Sequence, residues 1–170
     1  MARRGFPRYF AYVWYAALVV LAGCATDPFA GRLPPDLDRA VTPEKAASMA
    51  DEVRGRAVLW GGVIVDVRNL KDTTEIAVLA YPLDDYSFPD SSKSPMGRFI
   101  VRYSGFLDPL DYAPGRLLTV LGQVDGVDKG KVGDAPYTFP VVKSSSLHLW
   151  NRNHSPQSNV MFGIGVGIGF

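Results

Sequence analysis

Residues 57–67 read AVLWGGVIVDV, a run in which apolar side chains occupy both faces of the predicted strand. Successive side chains of a strand point to opposite faces. One face would carry Leu59, Val63, Val65 and Val67, and the other Val58, Trp60 and Ile64. The pair Gly61-Gly62 falls at the centre, and glycine inside a strand indicates a bulge, a bend or close approach of another backbone. The run therefore predicts a first strand that bends at its middle.

Four more segments downstream have strand character and alternate with turn-forming residues. They cover residues 73–81, 98–106, 116–124 and 137–150, the last as one long strand or as two separated at the serines 144–146. Phe99, Val101 and Tyr103 alternate with Arg98 and Arg102, which predicts a half-buried strand with a cationic outer face. Residues 83–97, 107–114 and 125–136 lack such a pattern and are predicted to be loops.

A short helix precedes the strands and completes the predicted domain. Thr42-Pro43-Glu44 supplies an N-cap, a proline at the first helical position and an early acid, so a helix is expected over 43–54, with Gly55 ending it. Five strands, a glycine bend and a non-hairpin third connection predict a mainly β fold, a small closed antiparallel barrel of OB type. An open five-stranded sheet backed by the helix is the alternative.

The N-terminus has the features of a secretory signal. Arg3, Arg4 and Arg8 form a positive region, and residues 9–20 are wholly apolar or aromatic. The stretch from Tyr9 to Ala25 is about 17 residues long, which is short for a retained membrane-spanning helix of roughly 20 residues. The sequence therefore favours a cleaved signal over the alternative of a transmembrane anchor.

The only cysteine of the chain stands at the end of this signal. Leu21-Ala22-Gly23-Cys24 has the form of a bacterial lipobox, in which Cys24 is acylated and becomes the mature N-terminus. Each buried methylene contributes about 0.8 kcal/mol, so two or more chains anchor a protein stably. Ala25 follows, where an aspartate would favour inner-membrane retention in enteric-type sorting. The expected location is thus the outer membrane, on its periplasmic face.

Cleavage before Cys24 leaves a chain of the length of one domain. It also removes three arginines, which lowers the formal net charge from the +1 of the whole sequence. The mature protein is then weakly acidic, and no basic field remains to attract nucleic acid. The expected organisation is a signal peptide over 1–23, a lipidated N-terminus and tether over 24–41, the barrel over 42–154, and a glycine-rich apolar tail over 155–170. No disulfide can form once Cys24 is modified.

Ordered blocks along the strands resemble the Slp family of outer membrane lipoproteins, from the lipobox to about Trp150. These blocks are Trp60–Ile64, Glu75–Asp84, Gly97–Phe99, Gly105–Pro109, Tyr112 with Gly115-Arg116, Thr119–Gly122 and Tyr137–Pro140. The resemblance implies a lipid-anchored envelope protein, linked to starvation or stationary phase, without catalytic residues or a cofactor. The tail is where the chain departs from the family's better-known members.

Polar residues give little indication of chemistry. His148 and His154 are too few for a metal site, which needs three or four ligands. Carboxylates cluster in two predicted loops, Asp84, Asp85 and Asp90 in one and Asp108 and Asp111 in the other. They could serve hydrolysis of a glycan or hold calcium, but no Asp-x-Asp-x-Asp-Gly loop is present and acidic loops are usually solvated turns. No catalytic residue and no metal ligand is therefore predicted.

Aromatic residues provide a candidate ligand face. Trp60, Tyr81, Tyr103 and Trp150 lie on predicted strands, where a barrel face could stack a glycan, a peptidoglycan fragment or a small metabolite. Core packing is the more common use of such residues. The leading functional hypothesis is a non-catalytic envelope protein that binds or scaffolds, and the ligand-binding module is the alternative.

The C-terminal tail alternates glycine with aliphatic or aromatic residues from Phe162 to Phe170. An extended strand of this sequence would have one apolar face and one bare glycine face. It could pair with a sheet edge of an envelope protein or self-associate through residues 160–170. It could also be a flexible end, since glycine is costly to order.

Overall fold

The computed structural model describes residues 27–151. The lipobox, Cys24, His154 and the tail lie outside these residues. Two short helices, α1 (Pro43–Ser48) and α2 (Ala50–Val53), precede five strands. The strands are β1 (Ala57–Asn69), β2 (Thr73–Tyr81), β3 (Arg98–Ser104), β4 (Leu117–Val132) and β5 (Ala135–Leu149). Neither helix in the described part of the chain is long and apolar enough to cross a membrane.

The strands close into a barrel in the order β1-β2-β3-β5-β4, with β4 returning to β1. All neighbours are antiparallel except β3 and β5, which pair in parallel over residues 100–102 and 141–143. The predicted OB-like barrel is confirmed, and the open-sheet alternative is wrong. Closure leaves the inward side chains in one apolar core. Its largest fully buried members on the strands are Phe99, Ile64, Ile76 and Leu118.

The glycine pair in β1 allows the close backbone approach that glycine inside a strand indicates. A side chain at Gly62 would place its Cβ 1.9 Å from the carbonyl oxygen of Leu79 on β2, so only glycine fits there. Further along, the register with β2 shifts between Ile64 and Asp66. The extra residue turns Val67 toward the core, against which it packs. The prediction that Val67 shares a face with Leu59 and Val63 is wrong because this bulge inverts the alternation.

The predicted helix over 43–54 is divided at Met49, whose backbone adopts φ −126° and ψ 37°. The hydroxyl of Ser48 donates to the carbonyl oxygens of Glu44 and Lys45. Such hydrogen bonds from serine to the preceding turn bend helices. The N-cap prediction is confirmed, since the Thr42 side chain accepts from the amide of Lys45.

Residues 125–136 form a hairpin rather than the predicted loop. Strand β4 continues to Val132 and β5 begins at Ala135, so only Gly133 and Asp134 make the turn. Gly133 has a φ of 59°, which glycine adopts without the strain of a Cβ. A two-residue Gly-Asp turn between apolar residues is a recognised hairpin signal, and it was the clue to this element in the sequence. We call residues 127–140 the hairpin arm.

The segment expected to be a tether packs along the barrel. Phe29 is 1% exposed and meets the His148 ring edge-on, with the ring centroids 6.4 Å apart. The amide of Asp38 donates to the carbonyl oxygen of Ala57, and Asp38 pairs with Arg56 at 2.6 Å. Prolines and aspartates hold these residues in successive turns. We call residues 29–38 the strap, because they cross the outside of the barrel from β5 to the start of β1.

Candidate ligand-binding groove

An open groove of about 620 Å³ lies between the hairpin arm and the outer faces of β1, β2 and β3. The strands contribute Asp66, Arg68, Glu75, Ala77 and Ile100, and the arm contributes residues 128–131 and Phe139. The groove forms because the arm extends beyond the closed barrel and passes over its surface. Two walls from distant parts of the chain therefore enclose a space that a ligand could enter.

The hairpin arm is fixed in place by contacts with the barrel. The hydroxyl of Tyr137 accepts a hydrogen bond of 2.8 Å from the backbone amide of Arg98, at the start of β3. The ring of Tyr137 also packs against Phe139 at 4.7 Å. A Cβ at Gly130 would come within 3.0 Å of the Phe139 ring, so glycine allows the two strands of the arm to close around it. The apolar floor of the groove thus consists of Ala77, Ile100 and Phe139.

An ion network links the strands to the arm across one side of the groove. Arg102 contacts Glu75 at 3.2 Å, Asp128 at 3.0 Å and Asp125 at 3.4 Å. Glu75 in turn pairs with Arg68 at 2.8 Å. Only the Arg102–Glu75 pair, with side chains 33% and 13% exposed, is screened less than an isolated surface pair, because Asp128, Asp125 and Arg68 are 45%, 49% and 65% exposed. The network joins β2, β3 and the arm.

Three charged residues of the groove lie outside this network. Asp66, Lys129 and Lys131 are exposed and make no ion pair within residues 27–151. The lining therefore offers free charges of both signs, above an apolar floor. In total it holds three acidic and three basic side chains, so its charge is balanced.

The four aromatic residues of the predicted ligand face do not form one surface. Trp60 is 4% exposed, packs edge-on against Phe99 at 5.3 Å, and donates from Nε1 to the carbonyl oxygen of Val41. Tyr103 packs against the core, whereas Tyr81 is half-buried elsewhere on the surface. Trp60 lies inside the barrel because it shares the inward face of β1 with Val58 and Ile64. The prediction of a shared aromatic face is therefore not supported by this arrangement.

Trp150 lies outside the barrel, beside the strap. Its ring meets His148 at 4.4 Å and Phe88 at 5.0 Å, and its Nε1 donates to the hydroxyl of Thr119 at 3.0 Å. Thr119 is itself buried and donates to the carbonyl oxygen of Ser87. The rings of Phe29, His148, Trp150 and Phe88 form a row. This row packs the strap and the loop after β2 against β4 and β5. Their role is packing.

The acidic loops use their carboxylates to form turns. Asp84 accepts from the amides of Tyr86 and Phe88, both at 2.9 Å, and Asp108 accepts from the amide of Leu110. The Ser92 hydroxyl, which donates to Asp90, lowers the pKa of that carboxyl. Residues 27–151 contain no group of three or more histidine, cysteine or acidic side chains that could hold a metal ion. The contacts thus account for these residues as turn formers.

The histidine beside the strap gives a pH prediction. Burial lowers the pKa of His148 below its ordinary 6.5, while Asp27 acts in the opposite direction. The folded contact favours neutral imidazole, so acidification through 6.5 and below weakens the packing of the strap. Because a protonated imidazole quenches an adjacent indole, we expect Trp150 emission to fall with a midpoint below pH 6.5.

Two variants separate this transition from other titrations. His148→Gln should abolish it, and the matched variant His154→Gln should leave it unchanged. Phe29→Ala exposes the imidazole and should move the midpoint back toward 6.5. A midpoint at or above 6.5 in the unaltered protein would contradict the proposed burial of His148.

Comparisons with known proteins support a common family. A family model described as the outer membrane lipoprotein Slp family matches residues 21–164. "Outer membrane protein Slp" of Escherichia coli is 31% identical over 134 residues, which is 78% of this chain and 70% of that protein. "Uncharacterized lipoprotein YeaY" of the same organism is 32% identical over 135 residues, 78% of this chain and 68% of that one. The match includes residues 155–164, so part of the tail expected to depart from the family lies inside it.

A solved structure has a distantly similar fold. It is the small single-stranded DNA-binding protein of Streptomyces coelicolor, at 12% identity and a TM-score of 0.37, with 56% of this chain and 94% of that chain covered. At these values the likeness carries no argument about what this chain binds.

Proposed function

The chain belongs to the Slp family of outer membrane lipoproteins, and on that premise we propose that it is a lipid-anchored, non-catalytic binding protein. Its barrel would present the groove beneath the hairpin arm to a ligand in the periplasm. The groove carries this proposal, because it combines an apolar floor with free charges of both signs. The lipid would keep the barrel at the membrane while the groove binds.

The proposed anchor is Cys24, and the range of the family match supports it. That range begins at Leu21, the first residue of the Leu-Ala-Gly-Cys motif. A thiol at this place, after a signal that ends in small residues, is the substrate of the lipoprotein pathway. We place the domain on the periplasmic side, with a role in starvation or stationary phase as the resemblance implies.

The charges of the groove indicate the kind of ligand. A polyanion such as nucleic acid is bound by an excess of lysine and arginine, whereas this lining is balanced. Lys129 and Lys131 could pair with carboxylates, and Asp66 with an amine. A short peptide that carries both groups fits this pattern, and the stem peptide of a peptidoglycan fragment is the envelope molecule with that chemistry.

Isothermal titration calorimetry with muropeptides tests the groove. We expect the double variant Lys129→Ala/Lys131→Ala to weaken binding at least about tenfold, because a charge-assisted contact contributes roughly 1.5–3 kcal/mol. The matched double variant Lys71→Ala/Lys143→Ala also removes two exposed lysines that make no ion pair within residues 27–151, and neither lines the groove. Equal affinities for the two double variants, or no binding heat across the muropeptide panel, would overturn the proposal.

A further inference from the structure

The strap limits how far the barrel can move from its anchor. Only five residue steps separate Cys24 from Phe29, which spans at most about 18 Å when fully extended. A free tether up to Thr42 would reach about 65 Å. Since Phe29 is fully buried, the shorter distance applies. The membrane surface is therefore close to the place where Phe29 packs.

That place is on one side of the barrel. Phe29 meets His148 on β5, and Arg32, Pro34 and Asp36 lie beside residues 121–123 of β4 and 143–145 of β5. The surface beside the strap is lined by Arg32, Gln123 and Lys143, by the acid Asp36, and by the apolar residues Pro34, Ala57 and Leu121. The second acid of the strap, Asp38, is paired with Arg56. Arg32 and Lys143 are exposed and suit contact with phospholipid headgroups, which attract basic side chains.

The groove lies far from the strap along β4 and β5. One wall is formed by residues of β1, β2 and β3, among them Glu75, Ala77 and Ile100, and the other is the hairpin arm, which is the extension of β4 and β5. Thr119 pairs with His148, where Phe29 packs, and the arm residues 128–131 lie nine or more positions farther along β4. At about 3.3 Å per residue, the groove is thus roughly 30 Å along the strand from that place.

We infer that the part of the β4–β5 face beside the strap lies against the bilayer, held there by Phe29, and that the groove opens away from the membrane. This inference rests on the proposed lipid anchor at Cys24 and deepens the proposed function. It assigns the groove to ligands that approach from the periplasmic space, such as the cell wall, rather than from the membrane itself.

Energy transfer from single labels to the bilayer tests the orientation. The acylated protein has no free thiol, so one new cysteine can be labelled specifically. The two labelling variants are Gln123→Cys, at an exposed position of β4 beside the strap, and Lys131→Cys, at an exposed position of the arm. Lipidated protein would be reconstituted into phosphatidylethanolamine–phosphatidylglycerol vesicles that carry an acceptor dye on the headgroup. We expect roughly twice the transfer efficiency from position 123, given the distances above.

Two further variants test the role of the strap. Phe29→Ala should lower the transfer from position 123 to nearly that from position 131. A six-residue Gly-Ser insertion after Ala25 lengthens the connection by up to about 20 Å without touching the fold, and it should lower the transfer in the same way. Lower transfer from position 123 in both variants supports the inference.

Equal energy transfer from positions 123 and 131 in the protein with an unaltered strap, or no effect of the insertion on transfer, overturns the inference. These outcomes leave the lipid anchor and the muropeptide titration untouched. Failure of the protein to associate with vesicles would instead overturn the anchor and the orientation together. The two proposals therefore fail in distinguishable ways.

Discussion

Cys24→Ala is expected to remove nearly all of the protein from the outer membrane fraction. Without the thiol no diacylglycerol can be attached, and without cleavage before residue 24 no amine becomes available for a third chain. Two or more acyl chains contribute about 0.8 kcal/mol for every buried methylene, which is far more than a few exposed apolar side chains such as Phe106 and Leu110 could supply. The variant should therefore be recovered as a soluble cleaved form or as an uncleaved precursor in the inner membrane.

Fractionation, immunoblotting and mass spectrometry of the N-terminus measure this result. Globomycin, which inhibits the lipoprotein signal peptidase, should cause precursor to accumulate from the unaltered gene only. A matched variant, Ala25→Asp, should remain acylated but shift to the inner membrane. Recovery of cleaved Cys24→Ala protein in the outer membrane at the unaltered level would show that something other than lipid holds it there.

The barrel was predictable because its signals are local. Alternation in residues 73–81 and 98–106 and the glycine pair in β1 are properties of short stretches, and a strand forms at each place, although β3 ends at Ser104. The hairpin arm was not recognised, because charged and glycine residues fill positions 125–134 and conceal its alternation. Its pairing depends on cross-strand partners, such as Asp128 with Phe139, that adjacent residues do not reveal.

The groove could not be predicted for the same reason. It exists only because the arm, β1, β2 and β3 meet in space, and Arg102 joins Glu75 to Asp128 from three separate strands. The position of the aromatic residues could not be predicted for a different reason. Strand β1 is apolar on both sides, so periodicity alone could not decide whether Trp60 or Leu59 points inward. Closure of the barrel made that choice, and it placed Trp60 in the core.

The strap shows how composition can suggest the wrong state. Scattered prolines and the absence of a period indicate a spacer, yet a single buried side chain changes the outcome. Phe29 and the Asp38–Arg56 pair attach the segment to the barrel at two points. Only the surrounding structure reveals that Phe29 has a place to pack, and the proposed orientation of the domain at the membrane depends on this contact.

Gly62→Ala is expected to destabilise the barrel more than the addition of a methyl group at any other position of β1. The new Cβ would lie 1.9 Å from the carbonyl oxygen of Leu79 and 2.9 Å from Cα of Ala80. Both are backbone atoms, so no rotamer change can relieve the contact and β1 must separate from β2. Overpacking usually costs 1–3 kcal/mol, and we expect a loss of about 3 kcal/mol in the free energy of unfolding.

Urea unfolding followed by the emission of the core residue Trp60 measures this loss, which would be a large fraction of the 5–15 kcal/mol typical of a domain. Val65→Ala is the matched control on the same strand, because its side chain is half-buried at the bulge and its loss should cost only about 1 kcal/mol. If the urea midpoint of Gly62→Ala is as high as that of Val65→Ala, β1 and β2 do not approach each other as closely at Gly62 as the structure shows. Because β1 pairs with both β2 and β4, a wider spacing between β1 and β2 would also change how the barrel closes and where the groove wall on β2 lies.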